Sequence, residues 1–202
     1  LTIDAFSKFY FSLKDKRERD NVVLLLHTNP INSSGTNINV VLDELYKDVP
    51  ILISDKLVSE SDINLIYNIS HATINVAHNE GFGLTTLESV FTDTPVILSD
   101  TGGLKDQYNS EWCELVKPKV RQLKGTLQVP YIYSDLCDSA DVSKSIDKMY
   151  RRYKDIDMTN KTEFITKKGF TDKKMSESIK NAITKTIDTY EPKQEIRFEK
   201  II

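Results

Sequence analysis

Apolar positions along this chain alternate between a helical period and short uninterrupted runs. Residues 1–16, LTIDAFSKFYFSLKDK, predict an amphipathic helix. Four apolar side chains mark its inner face: Phe6, Phe9, Tyr10 and Leu13. Residues 21–26, NVVLLL, suit a strand that is buried on both faces of a parallel sheet. Because the chain opens inside a helix, we expect it to be a fragment of a longer protein.

The same alternation continues along the chain. Helical spacing over 38–45 precedes the strand candidate 51–54, and Ser59 and Asp62 form a capping pattern for another helix. Three more strand candidates follow, at 73–77, 95–99 and 113–118. Strands that alternate with helices in short units predict an α/β fold, a Rossmann-like doubly wound parallel sheet with helices on both faces.

The C-terminal part is less regular before it becomes helical. Residues 118–136 show no clear period, residues 142–153 return to helical spacing, and Thr171 is placed to cap a final helix. We expect one domain over residues 1–190 and a tail over 191–202, whose apolar side chains would need a partner surface.

Composition narrows the class of protein. Apolar residues make up 39% of the chain, and the net charge of -3 comes from intermingled acidic and basic residues. This charge pattern contains no basic patch that would indicate binding to nucleic acid. Cys113 and Cys137 belong to no disulfide or metal-binding spacing, and no apolar run reaches the roughly 20 residues that span a bilayer. We expect a cytoplasmic protein with no nucleic-acid partner and no transmembrane segment.

The stretch NEGFGLTTLES places two carboxylates around a glycine-bracketed helix start. Gly81 and Gly83 leave the first backbone N–H groups of that helix open to an anion such as a phosphate. At about 1.5 Å per residue, Glu88 lies roughly 6 to 8 Å further along the axis, which suits the ribose diol of a bound nucleotide. Glu80 lies on the other side of the phosphates. Together these positions describe a site for a nucleoside diphosphate sugar.

Glu88 also needs hydrogen-bond donors. We predict that the buried stripe of its helix consists of Leu84, Leu87 and Phe91, with Glu88 beside it. Because an unpaired buried carboxylate is unfavourable, donors must come from the protein or from ligand hydroxyl groups.

The segment HATINVAHNEGFGLTTLESVFTDTPVILSDTGGLKD resembles the C-terminal donor-binding domain of the group 1, family 4-like retaining glycosyltransferases, which have the GT-B fold. Members of this family have two Glu residues separated by seven positions, then a strand that begins Pro-Val, then a Gly-Gly turn. This chain has the same features in the same order: Glu80, Glu88, Pro95-Val96 and Gly102-Gly103. The resemblance covers most of residues 1–117. It implies hexosyl transfer from a nucleoside diphosphate sugar with retention of anomeric configuration and without a metal or other cofactor.

The resemblance also implies a role for each matching position. Glu80, the catalytic residue, would contact the donor sugar and help hold it for transfer. Glu88 would bind the ribose hydroxyl groups, and Gly102 and Gly103 would form a structural turn. The diphosphate and sugar would meet the segment Gly81, Phe82, Gly83, Leu84 and Thr85. The base would lie against Lys56, Leu57 and Val58.

In that family an Arg and a Lys stabilise the departing diphosphate from a loop just before the helix that matches residues 1–18. The acceptor-binding domain is also N-terminal. We therefore expect this chain to be about half of the enzyme, to bind the donor weakly and to be inactive alone. An acceptor glycan, lipid or protein, and any peripheral membrane association, would use the missing domain.

Two alternative functions stay open. A sugar-nucleotide 2-epimerase shares the sheet and pocket but is not expected to carry this E-G-F-G-L and L-E pattern. A non-catalytic nucleotide-sugar-binding module would not need the basic pair. We assign no metal, because no His, Asp or Cys pattern has convincing ligand spacing.

Overall fold

The computed structural model describes residues 1–32, 35–129 and 131–190. The chain divides into two compact units, Leu1–Met158 and Thr159–Ile202. The predicted tail, 191–202, lies outside the described residues.

The first unit alternates helices with strands, as predicted. Its helices are α1 (Thr2–Ser12), α2 (Lys16–Asp20), α3 (Ile38–Leu45), α4 (Glu60–Ile69), α5 (Leu84–Phe91) and α6 (Ser139–Arg152). Its strands are β1 (Leu24–His27), β2 (Ile51–Ser54), β3 (Thr73–Asn75), β4 (Val96–Ser99), β5 (Cys113–Val116), β6 (Val120–Lys124) and β7 (Ile132–Leu136). Two 3-10 segments are Gly102–Gln107 and Tyr153–Asp155.

The strands of the described residues form three sheets. β1 and β2 are parallel, with Leu24 opposite Ile51. β3, β4 and β5 form a second parallel sheet in that order. Parallel strands flanked by helices confirm the predicted Rossmann-like α/β fold class. β6 and β7 pair antiparallel, and this hairpin occupies the segment in which the sequence shows no clear period.

The core of the first unit joins α1 and α6 to the strands. Phe6 and Phe9 of α1 are buried in one cluster with Val142 and Met149 of α6 and with Ile97 of β4. The rings of Phe9 and Tyr150 meet edge to face, with centroids 5.4 Å apart. The amphipathic helix predicted at the start of the chain is confirmed.

Polar side chains fix several helix starts. Ser59 accepts a hydrogen bond from the Asp62 backbone while the Asp62 side chain bonds back, so the predicted capping box is present at α4. Asp138 caps α6 by accepting from Ala140 N at 2.8 Å. These local patterns set where the helices begin.

The described part of the second unit contains α7 (Lys161–Lys168) and α8 (Asp172–Thr189). Gly169, at φ +79°, ends α7, and the Thr171 side chain caps α8 as predicted. The apolar stripe of the final helix is exposed: Met175, Ile179, Ile183, Ile187 and Tyr190.

Candidate functional site

The predicted site residues follow the carboxyl ends of two parallel strands. The chain leaves β3 at Asn75 and runs through Glu80 to the start of α5. Lys56 and Leu57 follow β2, are exposed, and lead into α4. In open α/β sheets, ligands bind beyond the carboxyl ends of the strands.

The start of α5 depends on the backbone of Gly83. Gly83 has φ +88° and ψ +60°, a left-handed conformation that favours glycine. Its carbonyl accepts from Thr86 N at 3.0 Å and Leu87 N at 3.3 Å. The N–H groups of Leu84 and Thr85 therefore precede the first intrahelical bond, and no side chain caps the helix. The helix presents an uncapped, positively polarised N-terminus.

The buried face of α5 differs from the predicted stripe of Leu84, Leu87 and Phe91. Leu84 is 67% exposed and Phe91 is 51% exposed. The buried side chains of the helix are instead Thr86, Ser89 and Val90.

Hydrogen bonds to β3 explain the correction. The Asn75 amide donates to Thr86 Oγ1 at 3.1 Å, and the hydroxyl groups of Thr73 and Ser89 lie 2.7 Å apart. Because these polar groups satisfy one another, hydroxyl side chains can replace leucines at the contact with the sheet.

Glu88 is exposed, so the expectation of a carboxylate buried beside an apolar stripe is wrong, but a tyrosine still orients it. The Tyr67 hydroxyl on α4 donates to Glu88 Oε2 at 2.8 Å. Burial raises the pKa of Tyr67, and the hydrogen bond to Glu88 raises it further. The expected donor is thus a protein hydroxyl on the preceding helix, 21 residues away in the sequence.

We expect Tyr67→Phe to reduce the loss of stability at alkaline pH. The folded protein holds the phenolic proton more tightly than the unfolded chain does. The stabilisation from Tyr67 is therefore complete below the unfolded pKa of about 10 and declines as pH rises above it. Urea unfolding at pH 8 and at pH 10.5 measures this change. An identical decline in wild type and variant would contradict it.

The Gly102–Gly103 turn supports the loop that carries Glu80. Gly103 N donates to Glu80 O at 3.1 Å. A Cβ on Gly102, which has φ +47°, would overlap the Glu80 carbonyl, and one on Gly103 would lie 2.7 Å from Phe82 Cα. Only hydrogen fits at either position without movement of the backbone, so the turn is structural, as the resemblance implies.

Gln107 is a second support that the sequence did not indicate. Its side chain is 1% exposed and donates from Nε2 to the carbonyls of Phe82 and Gly83, the latter at 3.3 Å. These bonds tie the turn before α5 to the 3-10 segment that ends at Gln107. No local motif marks this residue, because its partners lie 24 and 25 positions earlier.

Glu80 lines a cavity of about 380 Å³, one wall of which is the β6–β7 hairpin. Asp135 anchors the hairpin, since its N–H donates to His78 O at 2.9 Å and its Oδ2 accepts from Thr101 Oγ1 at 2.8 Å. Arg121 of β6 also lines this cavity. It is a basic residue of this chain in the same cavity as Glu80, and no sequence motif marks it.

Arg121 is held by two neighbours in the hairpin. Its Nε lies 3.7 Å from Asp135 Oδ1, and its guanidinium lies 4.8 Å from the centre of the Tyr133 ring. The side chain is 68% exposed, so solvent screens the ion pair. The guanidinium therefore keeps hydrogen-bonding capacity for an anionic ligand.

The two acids of the motif line different cavities. Glu80 is half-buried in the cavity next to the hairpin, whereas Glu88 lines a larger cavity between β1 and β3. The start of α5 separates them along the chain. Lys56, Leu57 and Val58 line neither of these two cavities.

The described residues hold no group of three or more His, Cys, Asp or Glu side chains arranged to bind a metal ion. Within the same part of the chain, no helix is both long enough and apolar enough to cross a membrane.

Comparison with known proteins gives one family. Residues 56–125 match the model of the family described as "Glycosyl transferases group 1". The matched segment includes Lys56, Glu80, Glu88 and Arg121, and it supports glycosyl transfer as the general activity. No curated protein matches the chain.

Proposed function

We propose that this chain supplies the donor site of a retaining glycosyltransferase that uses a nucleoside diphosphate sugar. The observation that carries the proposal is the uncapped N-terminus of α5, shaped by Gly83 and flanked by Glu80 and Glu88. This helix start lies inside the segment that matches the glycosyltransferase family.

The diphosphate is assigned to the N-terminus of α5. The N–H groups of Leu84 and Thr85 and the helix dipole would stabilise the negative charge that develops as the nucleoside diphosphate leaves. This stabilisation needs no metal. Arg121, in the cavity of Glu80, would add a positive charge close to the sugar and the diphosphate.

The ribose is assigned to Glu88. Tyr67 holds Oε2 of this carboxylate and so fixes its orientation. Oε1 then accepts from a ribose hydroxyl, a charge-assisted hydrogen bond that is stronger than one between neutral groups.

The sugar and the base complete the proposed site. Glu80 would hold the hydroxyl groups of the transferred sugar in the cavity beside the hairpin, together with the backbone of Gly81 and Phe82. The base would lie against the loop Lys56, Leu57 and Val58. The donor domain would extend over residues 1–190.

Titration calorimetry with UDP, GDP and ADP tests the proposal. We expect selective binding of one nucleotide. Binding should weaken about tenfold to hundredfold in Glu88→Ala, because a hydrogen bond to a charged group contributes about 1.5–3 kcal/mol. The 2′-deoxyribose analogue should weaken wild-type binding similarly, and Glu44→Ala, an exposed acid on α3, should change nothing. The ribose assignment would be contradicted if neither Glu88→Ala nor the 2′-deoxyribose analogue lowers the affinity for the selected nucleotide.

An assay of nucleoside diphosphate release separates the alternative functions when it uses a protein that also contains the acceptor-binding domain implied by the resemblance, because this chain alone is expected to be inactive. A transferase releases the diphosphate faster when an acceptor is added, whereas an epimerase shows no dependence on acceptor. A binding module binds the nucleotide sugar and releases nothing.

A further inference from the structure

The β6–β7 hairpin places a positive charge in the cavity of about 380 Å³ that Glu80 lines, which we call the Glu80 cavity. Among the described residues that line it, Arg121 is the only basic one, and the others are neutral or acidic. Arg121 and Asp135 lie directly opposite each other in the antiparallel register, so their side chains share one face of the hairpin with Tyr133. The hairpin therefore adds a cation to a cavity that otherwise offers groups suited to sugar hydroxyls.

The hairpin is fixed to the rest of the Glu80 cavity before any ligand binds. The side-chain amide group of Asn79 lies 2.9 Å from the hydroxyl of Ser134, which is 3% exposed. Asp135 adds the bonds to His78 O and Thr101 Oγ1 described above. A side chain on a strand that is already docked loses less conformational entropy when it binds a ligand.

Two neighbours of the Arg121 guanidinium leave one of its edges open. Its Nε lies 3.7 Å from Asp135 Oδ1, and its face lies 4.8 Å from the centre of the Tyr133 ring. The first distance is longer than a hydrogen bond, and the other oxygen of Asp135 already accepts from Thr101. The edge formed by Nη1 and Nη2 has no partner among the described residues. Such an edge binds a carboxylate through two parallel hydrogen bonds.

The diphosphate of the donor is assigned to a different place. Its proposed contacts are the N–H groups of Leu84 and Thr85, and neither residue lines the Glu80 cavity. Thr85 lines the larger cavity instead, together with Glu88. An anion that binds Arg121 inside the Glu80 cavity therefore belongs to the transferred sugar.

The charges around the Glu80 cavity favour an acidic sugar over a neutral one. The hydroxyl groups of a neutral hexose are donors that the carboxylate of Glu80 accepts, so a neutral hexose requires no cation. A carboxylate on the sugar requires donors, and Glu80 would repel it unless a cation lay beside it. Arg121 supplies both from the hairpin side of the cavity. The sugar thus binds with hydroxyl groups toward Glu80 and its carboxylate toward the hairpin.

We propose that the transferred sugar is a hexuronic acid, whose carboxylate binds the Nη1 and Nη2 edge of Arg121. This inference rests on the proposed function, because it places the transferred sugar in the Glu80 cavity. It narrows the donor to a nucleoside diphosphate hexuronic acid, and it makes Arg121 the residue that distinguishes this sugar from the corresponding hexose.

Titration calorimetry of the 202-residue chain tests the proposal with donors that differ only at carbon 6 of the sugar. The pairs are UDP-glucose with UDP-glucuronic acid, UDP-galactose with UDP-galacturonic acid, GDP-mannose with GDP-mannuronic acid, and ADP-glucose with ADP-glucuronic acid. For the base that the chain selects, we expect the acid of at least one pair to bind about tenfold or more tightly than its hexose. Free UDP, GDP and ADP are titrated alongside.

Variants of β6 assign the preference to one side chain. In Arg121→Gln, the ratio of acid affinity to hexose affinity should fall to about one, because the charged donors are lost. Arg121→Lys should give an intermediate ratio, since lysine keeps the charge but not the planar pair of donors. The matched control is Lys124→Gln, which removes an equal charge from an exposed residue of β6 that does not line the Glu80 cavity. It should keep the wild-type ratio.

The inference would be overturned if a free nucleoside diphosphate binds but no acid binds more tightly than its hexose, a result that leaves the proposed function intact. An equal loss of affinity for both members of a pair in Arg121→Gln would also overturn it, because the guanidinium would then serve the diphosphate. So would an equal fall of the ratio in Lys124→Gln, which would show an unspecific effect of charge. Failure of every nucleotide to bind would overturn the proposed function, and this inference with it.

Discussion

Gly102→Ala is expected to lower the free energy of unfolding by about 3 kcal/mol and to abolish measurable nucleotide binding. Two penalties add at this position. A left-handed backbone, here at φ +47°, is unfavourable for alanine, and the new methyl group would overlap the carbonyl of Glu80. Because the obstacle is backbone, the whole loop of Glu80 must move. Urea denaturation and calorimetric titration measure the two effects.

Gly35→Ala is the matched control for this experiment. A Cβ at Gly35 meets no atom of the described part of the chain within 4 Å, and no left-handed φ is found there, so the unfolding free energy of this variant should change by no more than about 0.5 kcal/mol. Equal stability of the Gly102 and Gly35 variants would refute the supporting role of the turn.

Phe9→Ala is expected to destabilise the first unit by about 3–5 kcal/mol. Phe9 is 2% exposed and loses both its buried ring and the edge-to-face contact with Tyr150. Phe11→Ala, on the same helix but at a 57% exposed position, should cost less than about 1 kcal/mol. Denaturation followed by circular dichroism compares the two, and similar midpoints would show that α1 is not part of the cooperative core.

The sequence predicted those parts of the fold that depend on neighbours along the chain. The amphipathic face of α1, the strand Ile51–Ser54 and the capping box at Ser59 are all local patterns, and the structure confirms them. The β6–β7 hairpin was missed because its position depends on bonds from Asp135 to the distant residues His78 and Thr101. Such pairings leave no period in the sequence.

The features of the candidate site that depend on neighbours along the chain could also be predicted, and those that depend on distant residues could not. The glycine-bracketed helix start could be predicted because Gly81 and Gly83 lie within a few residues of both acids in the sequence. The buried face of α5 was predicted wrongly because hydrophobicity alone cannot show that Thr86 finds a partner in Asn75. Tyr67 and Arg121 reach the motif from other elements, so only the folded chain brings them to it.

The fit between the Gly102–Gly103 turn and the Glu80 loop also matters for protein engineering. Transplanting only the stretch NEGFGLTTLES into another scaffold would omit two hydrogen bonds that support it. Gly103 N donates to Glu80 O, and the Gln107 side-chain amide donates to Phe82 O. A transplanted segment should therefore run from β3 through the 3-10 segment that ends at Gln107. It then includes β4, which lies between the helix start and the turn in the sequence. In this chain, the segment NEGFGLTTLES and the strand after it form one structural unit.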